Sequence, residues 1–468
     1  MSTRPLLHVS PKNGWINDPN GFSFAFGKFY LFAQHNPYDT KWGPMHWLQF
    51  VSDDLVNFKE VGIALKPSEN YDHEYGCFSG SALTFNDKHI LFYTGVADEK
   101  QTQCLAVSTD GKQYRKTKLN PVISEKDLPR DYLIKDFRDP FVFKKGNTYY
   151  VLISARKVNN GSSILMYKTL DFKTFTYVGV TLSITGEQEM IECPAVFFEG
   201  DKAILLYSHQ FKKAVNKFEY QNVHSTLYVV GNFNYETGAF ISECCPREID
   251  YGFDFYAPQT LTIKGKHYLV AWQNMWDRDY PSRNDGYVGN LTLVREVSVK
   301  NNNLYQKFVS SLSNYYTKTQ IISDAEYTVF TIPVDKKYAH RYRVEFSQVN
   351  EAILFFTNDE KVSITLNAEA KTITFKRPEV LNNDGSATKT RTIKLEEDIN
   401  RLSLDIVFDQ SAMDILINNG KYSFSMLFYT NASPCLTIKT LTNEKIMLKK
   451  LIYNQIAPKE VLTINKSS

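Results

Sequence analysis

Three acidic residues, Asp18, Asp139 and Glu192, each stand one or two positions before a proline. A proline biases the residue before it toward extended backbone, which predicts that these side chains are held rigidly where strands begin. Acidic groups gathered in one pocket repel one another, so a catalytic purpose is the simplest reason to gather them. Glycoside hydrolysis needs two carboxyl groups around the scissile bond, one ionised and one protonated. The three residues predict this chemistry if the fold brings them together.

The sequence neighbours of these residues indicate which carboxyl group is protonated and which is ionised. Glu192 lies between Ile191 and Cys193, the least polar setting, which favours a protonated acid. Asp139 follows Arg138, whose charge favours the ionised form. Apolar faces for sugar rings could come from several aromatic residues, although tryptophans in β proteins are more often core residues. The candidates are Trp15, Trp42, Trp47, Phe78 and Trp272.

A repeated hairpin supplies the elements that must position these groups. A short turn followed by aromatic and β-branched residues recurs about every sixty residues. The turns lie at Gly27, Asp87, Gly146, Gly200 and Gly265. A second motif, Ser/Thr-x-Asp-x-x-x-aromatic, begins at Ser52, Ser108 and Thr169, in phase with the hairpins. This β-only repeat predicts a five-bladed β-propeller over residues 1–296, in preference to a parallel β-helix.

The rest of the chain has a different pattern. Residues 297–325 are polar and predict a linker that is partly helical. Residues 326–468 contain short alternating strands and the hairpin signal Asn418-Asn-Gly420, which together predict a β-sandwich. The fold class is therefore all-β, a five-bladed propeller followed by a C-terminal sandwich. The sandwich either covers a propeller face or mediates formation of a homodimer.

Composition excludes several classes of protein. The 468 residues carry a formal net charge of only +3, which gives no footprint for nucleic acid. No run of about eighteen apolar residues could span a membrane, and Met1 to His8 lack an apolar signal segment. The six cysteines are scattered without a metal-binding spacing, and 14% of the residues are aromatic, which favours strands. We expect a cytoplasmic protein with reduced thiols.

At these residues the sequence resembles glycoside hydrolase family 32, the invertases and β-fructofuranosidases. The resemblance spans most of the chain and follows the order of the family's motifs. They are His8-x-x-Pro11, Trp15-Ile-Asn-Asp-Pro-Asn-Gly21, Phe32-Ala-Gln-His-Asn-Pro37, Lys41-Trp-Gly43, Phe78-Ser-Gly80, Arg138-Asp-Pro140, Glu192-Cys193, Asp250-Tyr-Gly-Phe-Asp254-Phe-Tyr-Ala257, Ala271-Trp272 and Phe408-Asp-Gln-Ser-Ala-Met-Asp414-Ile415.

The resemblance implies a retaining β-fructofuranosidase with assigned roles. Asp18 would be the nucleophile at a terminal β-fructofuranosyl unit, Glu192 the acid and base, and Asp139 the transition-state stabiliser. It implies a small-molecule sugar substrate and neither a metal nor an organic cofactor. The implied substrate-binding residues are Asn17, Gln34, Trp42, Phe78, Ser79, Arg138, Asp254, Tyr256 and Trp272.

Several alternatives stay open at this point. An intracellular member of the family would act on sucrose or sucrose 6-phosphate, or on short fructooligosaccharides, rather than on long fructans. A phosphate would need a basic site, for which Arg278 and Arg283 are weak candidates, since ordinary loop charges explain them better. A fructosyltransferase would use the same covalent intermediate. A sugar-binding propeller without catalysis is the remaining alternative.

Overall fold

A computed structural model describes residues 3–214 and 216–458 of the chain. The ends of the two predicted domains, residues 1–2 and 459–468, lie outside the described residues. Across the described ranges, none of the helices has the length and apolarity needed to cross a bilayer. Strands dominate, and the helices are short 3₁₀ turns. These turns are Glu125–Asp127, Pro281–Asp285, Ser310–Tyr315 and Ile399–Arg401.

Five sheets, antiparallel except for one short parallel pair, make up the first two thirds of the chain. The first contains β1 (Gly14–Ala25), β2 (Lys28–Asn36), β3 (His46–Ser52) and β4 (Lys59–Leu65). The second contains β5 (Gly76–Phe85), β6 (Lys88–Ala97), β7 (Lys100–Ser108) and β8 (Arg115–Lys116). The third contains β9 (Tyr132–Lys145), β10 (Thr148–Lys157), β11 (Ser162–Thr169) and β12 (Thr176–Ile184).

The fourth and fifth sheets carry extra short strands. The fourth contains β13 (Met190–Glu199), β14 (Lys202–Gln210), β15 (His224–Phe233), β16 (Phe240–Ser242) and β17 (Arg247–Glu248). The fifth is built around β18 (Tyr256–Ile263) and β19 (Lys266–Gln273). It is followed in the chain by β20 (Tyr287–Val288), β21 (Asn290–Leu291), β22 (Arg295–Lys300) and β23 (Asn303–Phe308). Of these, β21, β22 and β23 belong to the fifth sheet. The strand β20 belongs to the first sheet, where it pairs in parallel with β1.

The first strands of the five sheets surround a common axis. They contact one another in the cyclic order β1, β5, β9, β13, β18 and back to β1. The turns predicted at the five hairpins join the first two strands of every sheet. This arrangement confirms the five-bladed propeller, and the β20–β1 pairing ties its last blade to its first.

Two six-stranded sheets form the β-sandwich. Its strands are β24 (Tyr316–Tyr327), β25 (Val329–Pro333), β26 (Ala339–Gln348), β27 (Glu351–Thr357), β28 (Ser363–Asn367), β29 (Thr372–Leu381), β30 (Ala387–Lys394), β31 (Ser403–Asp409), β32 (Ala412–Ile417), β33 (Tyr422–Leu427), β34 (Pro434–Thr440) and β35 (Ile446–Ile456). One sheet has the order β24-β35-β26-β31-β32-β33 and the other β25-β34-β27-β28-β29-β30. Alternating side chains such as Leu354, Ile364 and Phe375 fill the core between them.

Residues 297–325 differ from the predicted linker. The segment up to Phe308 belongs to the β22–β23 hairpin, which forms the outer edge of the fifth blade. The strand β24 begins at Tyr316 and pairs with β35 of the sandwich. The polar composition misled the prediction, because an outer blade hairpin has one face toward water. The sandwich packs against the propeller, and one continuous apolar cluster contains residues of both domains, among them Leu7 and Leu416.

Candidate active site

The innermost strand of each blade is interrupted by a β-bulge at the same level. Pairing with the second strand shifts register after Ile16, Phe78, Arg138, Glu192 and Tyr256, respectively. A bulge bends the strand and redirects the side chains beside it. Repetition around the ring therefore turns five sets of side chains toward one end of the propeller axis.

The prolines belong to these bulges rather than to extended strand starts. The residues before Pro140, Pro194 and Pro258 have left-handed backbone, with φ of 66° at Asp139, 47° at Cys193 and 51° at Ala257. The expectation of extended backbone was wrong at these three positions because the bulge overrides the preference imposed by proline. Such conformations cost about 1–3 kcal/mol each and are concentrated at functional sites.

Glu192 stands one residue out of phase with Asp139. It precedes the bulge of its blade, as Arg138 and Tyr256 precede theirs, whereas Asp139 lies within the bulge. The two carboxylates therefore do not occupy equivalent positions in their blades. The left-handed residues at the bulge nevertheless turn both side chains into the same space.

An axial pocket of about 390 Å³ opens at this end of the propeller. Its walls include the three predicted carboxylates and five of the predicted binding residues, and they come from all five blades. The lining residues are Asn17, Asp18, Gln34, Trp42, Phe78, Gln101, Asp136, Arg138, Asp139, Glu192, Gln210, His224 and Trp276. The pocket combines acidic groups with aromatic faces, which is the combination that glycoside chemistry requires.

Asp18 lies at the buried end of this pocket. Its Oδ2 accepts hydrogen bonds from Ser79 Oγ at 2.6 Å and from Gln34 Nε2 at 3.2 Å. Burial raises the pKa of Asp18 to about 6, with a further upward contribution from Glu192, while the Ser79 hydrogen bond opposes the shift. Asp18 is therefore mostly ionised at neutral pH and held in a fixed orientation.

Cys193 joins Asp18 to Asp139. The backbone N–H of Cys193 donates to Asp139 Oδ2 at 3.0 Å, and its Sγ lies 3.5 Å from Asp18 Oδ2 and 3.6 Å from Asp139 Oδ2. Burial raises the pKa of Asp139 to about 7, although the Arg138 charge opposes this and the two other carboxylates add to it. The buried thiol thus separates two carboxylates that would otherwise repel at shorter range.

Glu192 is held by two donors from neighbouring blades. Arg138 donates to Oε1 through Nη2 at 2.8 Å and Nε at 3.2 Å, and Tyr256 donates its hydroxyl to Oε2 at 2.6 Å. The guanidinium lies 3.9 Å from Asp139. The predicted effect of Arg138 on Asp139 is present, since its charge opposes the rise that burial causes in the pKa of that carboxyl, but its hydrogen bonds go to Glu192 in the next blade and to Asp136. The contacts orient both oxygens of Glu192 toward fixed partners.

The remaining predicted binding residues lie behind the pocket wall. Ser79 donates a hydrogen bond to Asp18, and Tyr256 donates one to Glu192, so both residues orient carboxylates of the pocket. Trp272 is buried and packs against Trp276, with ring centroids 4.9 Å apart, so it supports the wall instead of lining it.

Asp254 does not line the pocket either. It is fully buried, and its carboxylate is bonded to Arg278 at 2.9 Å, Arg377 at 2.6 Å and the Tyr280 hydroxyl at 2.6 Å. The prediction that Asp254 binds substrate was wrong, since these contacts make it a structural anchor between propeller and sandwich. Burial opposes its ionised form, but the two arginines lower the pKa of Asp254.

The two arginines considered for a phosphate also lie away from the pocket walls. Arg278 is the buried partner of Asp254, and Arg283 pairs with Asp279 at 2.7 Å. Both are ordinary structural charges, as the sequence favoured.

Five lining residues were not predicted from the sequence. They are Gln101, Asp136, Gln210, His224 and Trp276. Gln210 and His224 lie at the ends of β14 and β15, and Trp276 lies in the connection after β19. Only the spacing of Trp272 and Trp276 offered a signal, because these residues stand outside the repeat position that the blades share.

A propeller with paired carboxyl groups at its axial pocket, joined to a sandwich, defines the chain as an all-β glycoside hydrolase. The chain matches the description "Glycosyl hydrolases family 32 N-terminal domain" over residues 8–308 and "Glycosyl hydrolases family 32 C terminal" over residues 304–452. It belongs to glycoside hydrolase family 32.

Similar proteins agree with this assignment. The chain is 31% identical to sucrose-6-phosphate hydrolase of Escherichia coli over 451 residues, covering 91% of this chain and 89% of that protein. It is 30% identical to the raffinose invertase of Escherichia coli, covering 92% and 90%. Among solved structures, the β-fructofuranosidase BmSUC1 of Bombyx mori has a TM-score of 0.84 at 30% identity, covering 97% of this chain and 94% of that chain.

Proposed function

We propose that the chain is a retaining β-fructofuranosidase that removes terminal non-reducing β-D-fructofuranosyl units from sucrose or sucrose 6-phosphate. One observation carries the proposal: Asp18, Asp139 and Glu192, from three different blades, line a single pocket that is walled by Trp42, Phe78 and Trp276. The names of the similar proteins support the same substrates.

Asp18 is the proposed nucleophile. It attacks the anomeric carbon of the fructosyl unit and forms a covalent intermediate. Ser79 and Gln34 hold its Oδ2, which orients the carboxylate before substrate enters. Attack requires the ionised form, which a pKa of about 6 leaves dominant at neutral pH.

Glu192 is the proposed acid and then the base. It protonates the oxygen of the departing sugar, and it later removes a proton from the water that releases fructose. Arg138 and Tyr256 fix its position on the side of the pocket next to His224. The leaving sugar therefore occupies the space beside Glu192 and His224.

Asp139 is the proposed stabiliser of the transition state. Cys193 N–H holds one of its oxygens. When ionised, its carboxylate can accept hydrogen bonds from fructose hydroxyls as positive charge develops on the ring. Trp42 and Phe78, whose rings meet edge to face at 5.9 Å, give the fructose an apolar wall.

The pocket has room for a short sugar, since its volume of about 390 Å³ is at the small end for ligand pockets. We expect the preferred leaving group to be a single sugar ring, as in a disaccharide. A comparison of kcat/KM for sucrose, sucrose 6-phosphate and a short fructooligosaccharide tests this, and a preference for the oligosaccharide would contradict it.

The test of the mechanism uses Asp18→Asn and Glu192→Gln. Each change keeps the shape of the side chain and removes the carboxylate, so we expect kcat to fall by about 10³-fold or more with unchanged thermal unfolding. Wild-type enzyme should release glucose and fructose from sucrose in equal amounts. In aqueous methanol it should form methyl β-D-fructofuranoside, because two displacements retain configuration. Normal turnover by both variants, or an inverted product, would refute the assignment.

Location and assembly belong to the same proposal. A cytoplasmic location is supported by six cysteines that are all free thiols, which suits a reducing compartment. A homodimer through the sandwich is supported by Ile321 and Val329, exposed apolar residues on β24 and β25, which are outer strands of their sheets. Cell fractionation and light scattering of the purified protein test these two points.

A further inference from the structure

One hairpin of the sandwich reaches the rim of the active-site pocket in two places. This rim hairpin consists of β29, β30 and their connecting turn, residues 372–394. Its turn contacts the segment 276–279, and its second strand contacts Gln221 and Asn222, at the start of the segment 221–224. Both segments carry a pocket-lining residue, Trp276 in the first and His224 in the second.

The turn of the rim hairpin holds the backbone around Trp276. Asn383 donates its backbone N–H to Asp277 O at 2.7 Å and its Nδ2 to Trp276 O at 3.1 Å. Asp279 N–H donates to Leu381 O at 3.0 Å, which completes a short antiparallel contact. The Trp276 ring packs against the Trp15 ring, with their centroids 5.9 Å apart. The backbone and the ring of Trp276 are thus held by different domains.

The second strand holds the segment before His224. Arg391 donates through Nη1 to Asn222 Oδ1 at 2.9 Å and through Nη2 to Gln221 O at 3.0 Å. Gln221 Nε2 donates back to Thr392 O at 3.0 Å. His224 follows two residues later, with its ring 5.6 Å from Tyr256, the residue whose hydroxyl holds Glu192.

The way in which Arg391 is buried shows that its position matters. The side chain is 4% exposed, and its hydrogen-bond acceptors are the neutral oxygens of Gln221, Asn222 and Gly252. A buried charge bound to neutral groups adds less to stability than an apolar contact of the same size would. Its hydrogen bonds hold the Gln221 carbonyl and the Asn222 side chain, three and two residues before the pocket residue His224.

We infer that the rim hairpin is a positioning element of the sandwich that sets the subsite for the leaving sugar, with Asn383 and Arg391 as its positioning residues. The inference rests on the proposed function, because Glu192 must protonate the leaving oxygen and thereby marks that side of the pocket. Trp276 and His224 both line the pocket, and His224 lies beside Tyr256, which holds Glu192. The sandwich then contributes to substrate selection without lining the pocket itself.

The test compares two substrates that share the fructosyl unit. Sucrose has a hexose leaving group that would occupy the inferred subsite, whereas methyl β-D-fructofuranoside has only a methoxy group there. In Asn383→Ala and Arg391→Lys we expect KM for sucrose to rise about tenfold, with kcat retained within about twofold. Both constants for the methyl fructoside should stay within about twofold of wild type. Lys389→Ala is the control, because Lys389 is exposed on the same strand, two residues before Arg391.

Each outcome decides the inference. An equal loss with both substrates would show that the rim hairpin only supports the fold, and unchanged KM for sucrose in both variants would also overturn the inference. Asn383 is exposed, so Asn383→Ala remains decisive if thermal unfolding shows that Arg391→Lys is destabilised. A wild-type enzyme that hydrolyses neither substrate would instead refute the proposed function, which separates the two failures.

Discussion

Asp18 and Asp139 lie in one pocket, and burial raises the pKa of these carboxyl groups to about 6 and about 7. Both proposed roles need the ionised form, and both groups lose it as pH falls. We therefore expect kcat/KM for sucrose to begin falling near pH 7 and to drop by about tenfold or more per pH unit below 6. A pH–rate profile with thermal unfolding measured at each pH separates this effect from acid unfolding. A rate that is constant down to pH 5 would contradict it.

Arg138 contacts carboxyl groups of two neighbouring blades. It bonds to Glu192 and to Asp136 and lies 3.9 Å from Asp139, where its charge opposes the upward shift in pKa. In Arg138→Gln we expect the acid limb of kcat/KM to move to higher pH by about one unit. At pH 8 kcat/KM should also be about 100-fold lower, because Glu192 loses its orientation.

Arg156→Gln is the matched control for this prediction. Arg156 also bonds to Asp136, at 2.9 Å, but it does not line the pocket. In Arg156→Gln the acid limb of the kcat/KM profile should stay at the same pH as in wild type. A shift of similar size in both variants would show that Asp136, rather than Arg138, controls the titration.

The sequence predicted the blades and the three carboxylates because both depend on a repeated pattern. Every blade shows its turn and first strand in the same phase, so Asp18, Asp139 and Glu192 could be found without a structure, although Glu192 is one residue out of phase with Asp139. His224 and Trp276 could not, since they lie at strand ends and connections that have no counterpart in the other blades. The role of Asp254 was missed for a related reason: its partner Arg377 lies in the sandwich, and sequence carries no signal of how two domains dock.

The Ser/Thr-x-Asp turns show how the blades are stabilised at the level of an element. In all three copies the hydroxyl accepts the N–H two and three residues ahead, and the Asp Oδ1 accepts the next pair. Each Asp carboxylate of the motif therefore bonds to two backbone amides. The same four bonds explain why the motif recurs in phase with the blades.

Thr169→Val tests the contribution of one such turn. The Thr169 hydroxyl, which is buried, accepts from Asp171 N at 3.3 Å and Phe172 N at 3.0 Å, and valine keeps its shape but cannot accept. We expect the free energy of unfolding to fall by about 1 kcal/mol, with kcat and KM unchanged. Thr174→Val, at an exposed position of the same turn, should be neutral in urea unfolding. Equal free energies of unfolding for the two variants would show that the Thr169 hydroxyl does not contribute to stability.

At the scale of the whole molecule, a buried ionic network joins the N-terminal segment, the propeller and the sandwich. Asp409 of the sandwich accepts the backbone N–H groups of Leu6, Leu7 and His8 as well as His8 Nδ1 at 2.9 Å. Asp414 lies 3.1 Å from Arg295 of the fifth blade and 3.5 Å from His8 Nε2. The network is fully buried, so its charges must stay paired for the two domains to remain docked.

His8 makes the stability of this interface depend on pH. Burial disfavours its charge, but hydrogen bonds and charges from Asp409 and Asp414 outweigh this and raise the pKa of His8 to about 9. Because the folded state holds the proton more tightly than the unfolded state, the stabilisation is fully present below pH 6.5. It is lost as the pH rises through 9, and it amounts to about 3 kcal/mol.

In His8→Gln we therefore expect a loss of unfolding free energy, relative to wild type, that is largest at pH 6 and shrinks toward pH 9.5. Urea unfolding across this range measures it, with His73→Gln, which removes an exposed histidine, as control. The neutral glutamine cannot supply the charge between Asp409 and Asp414, so the difference reports the paired imidazolium. A difference that is independent of pH would show that His8 contributes by packing alone, and the domains would then be joined chiefly by their shared apolar cluster.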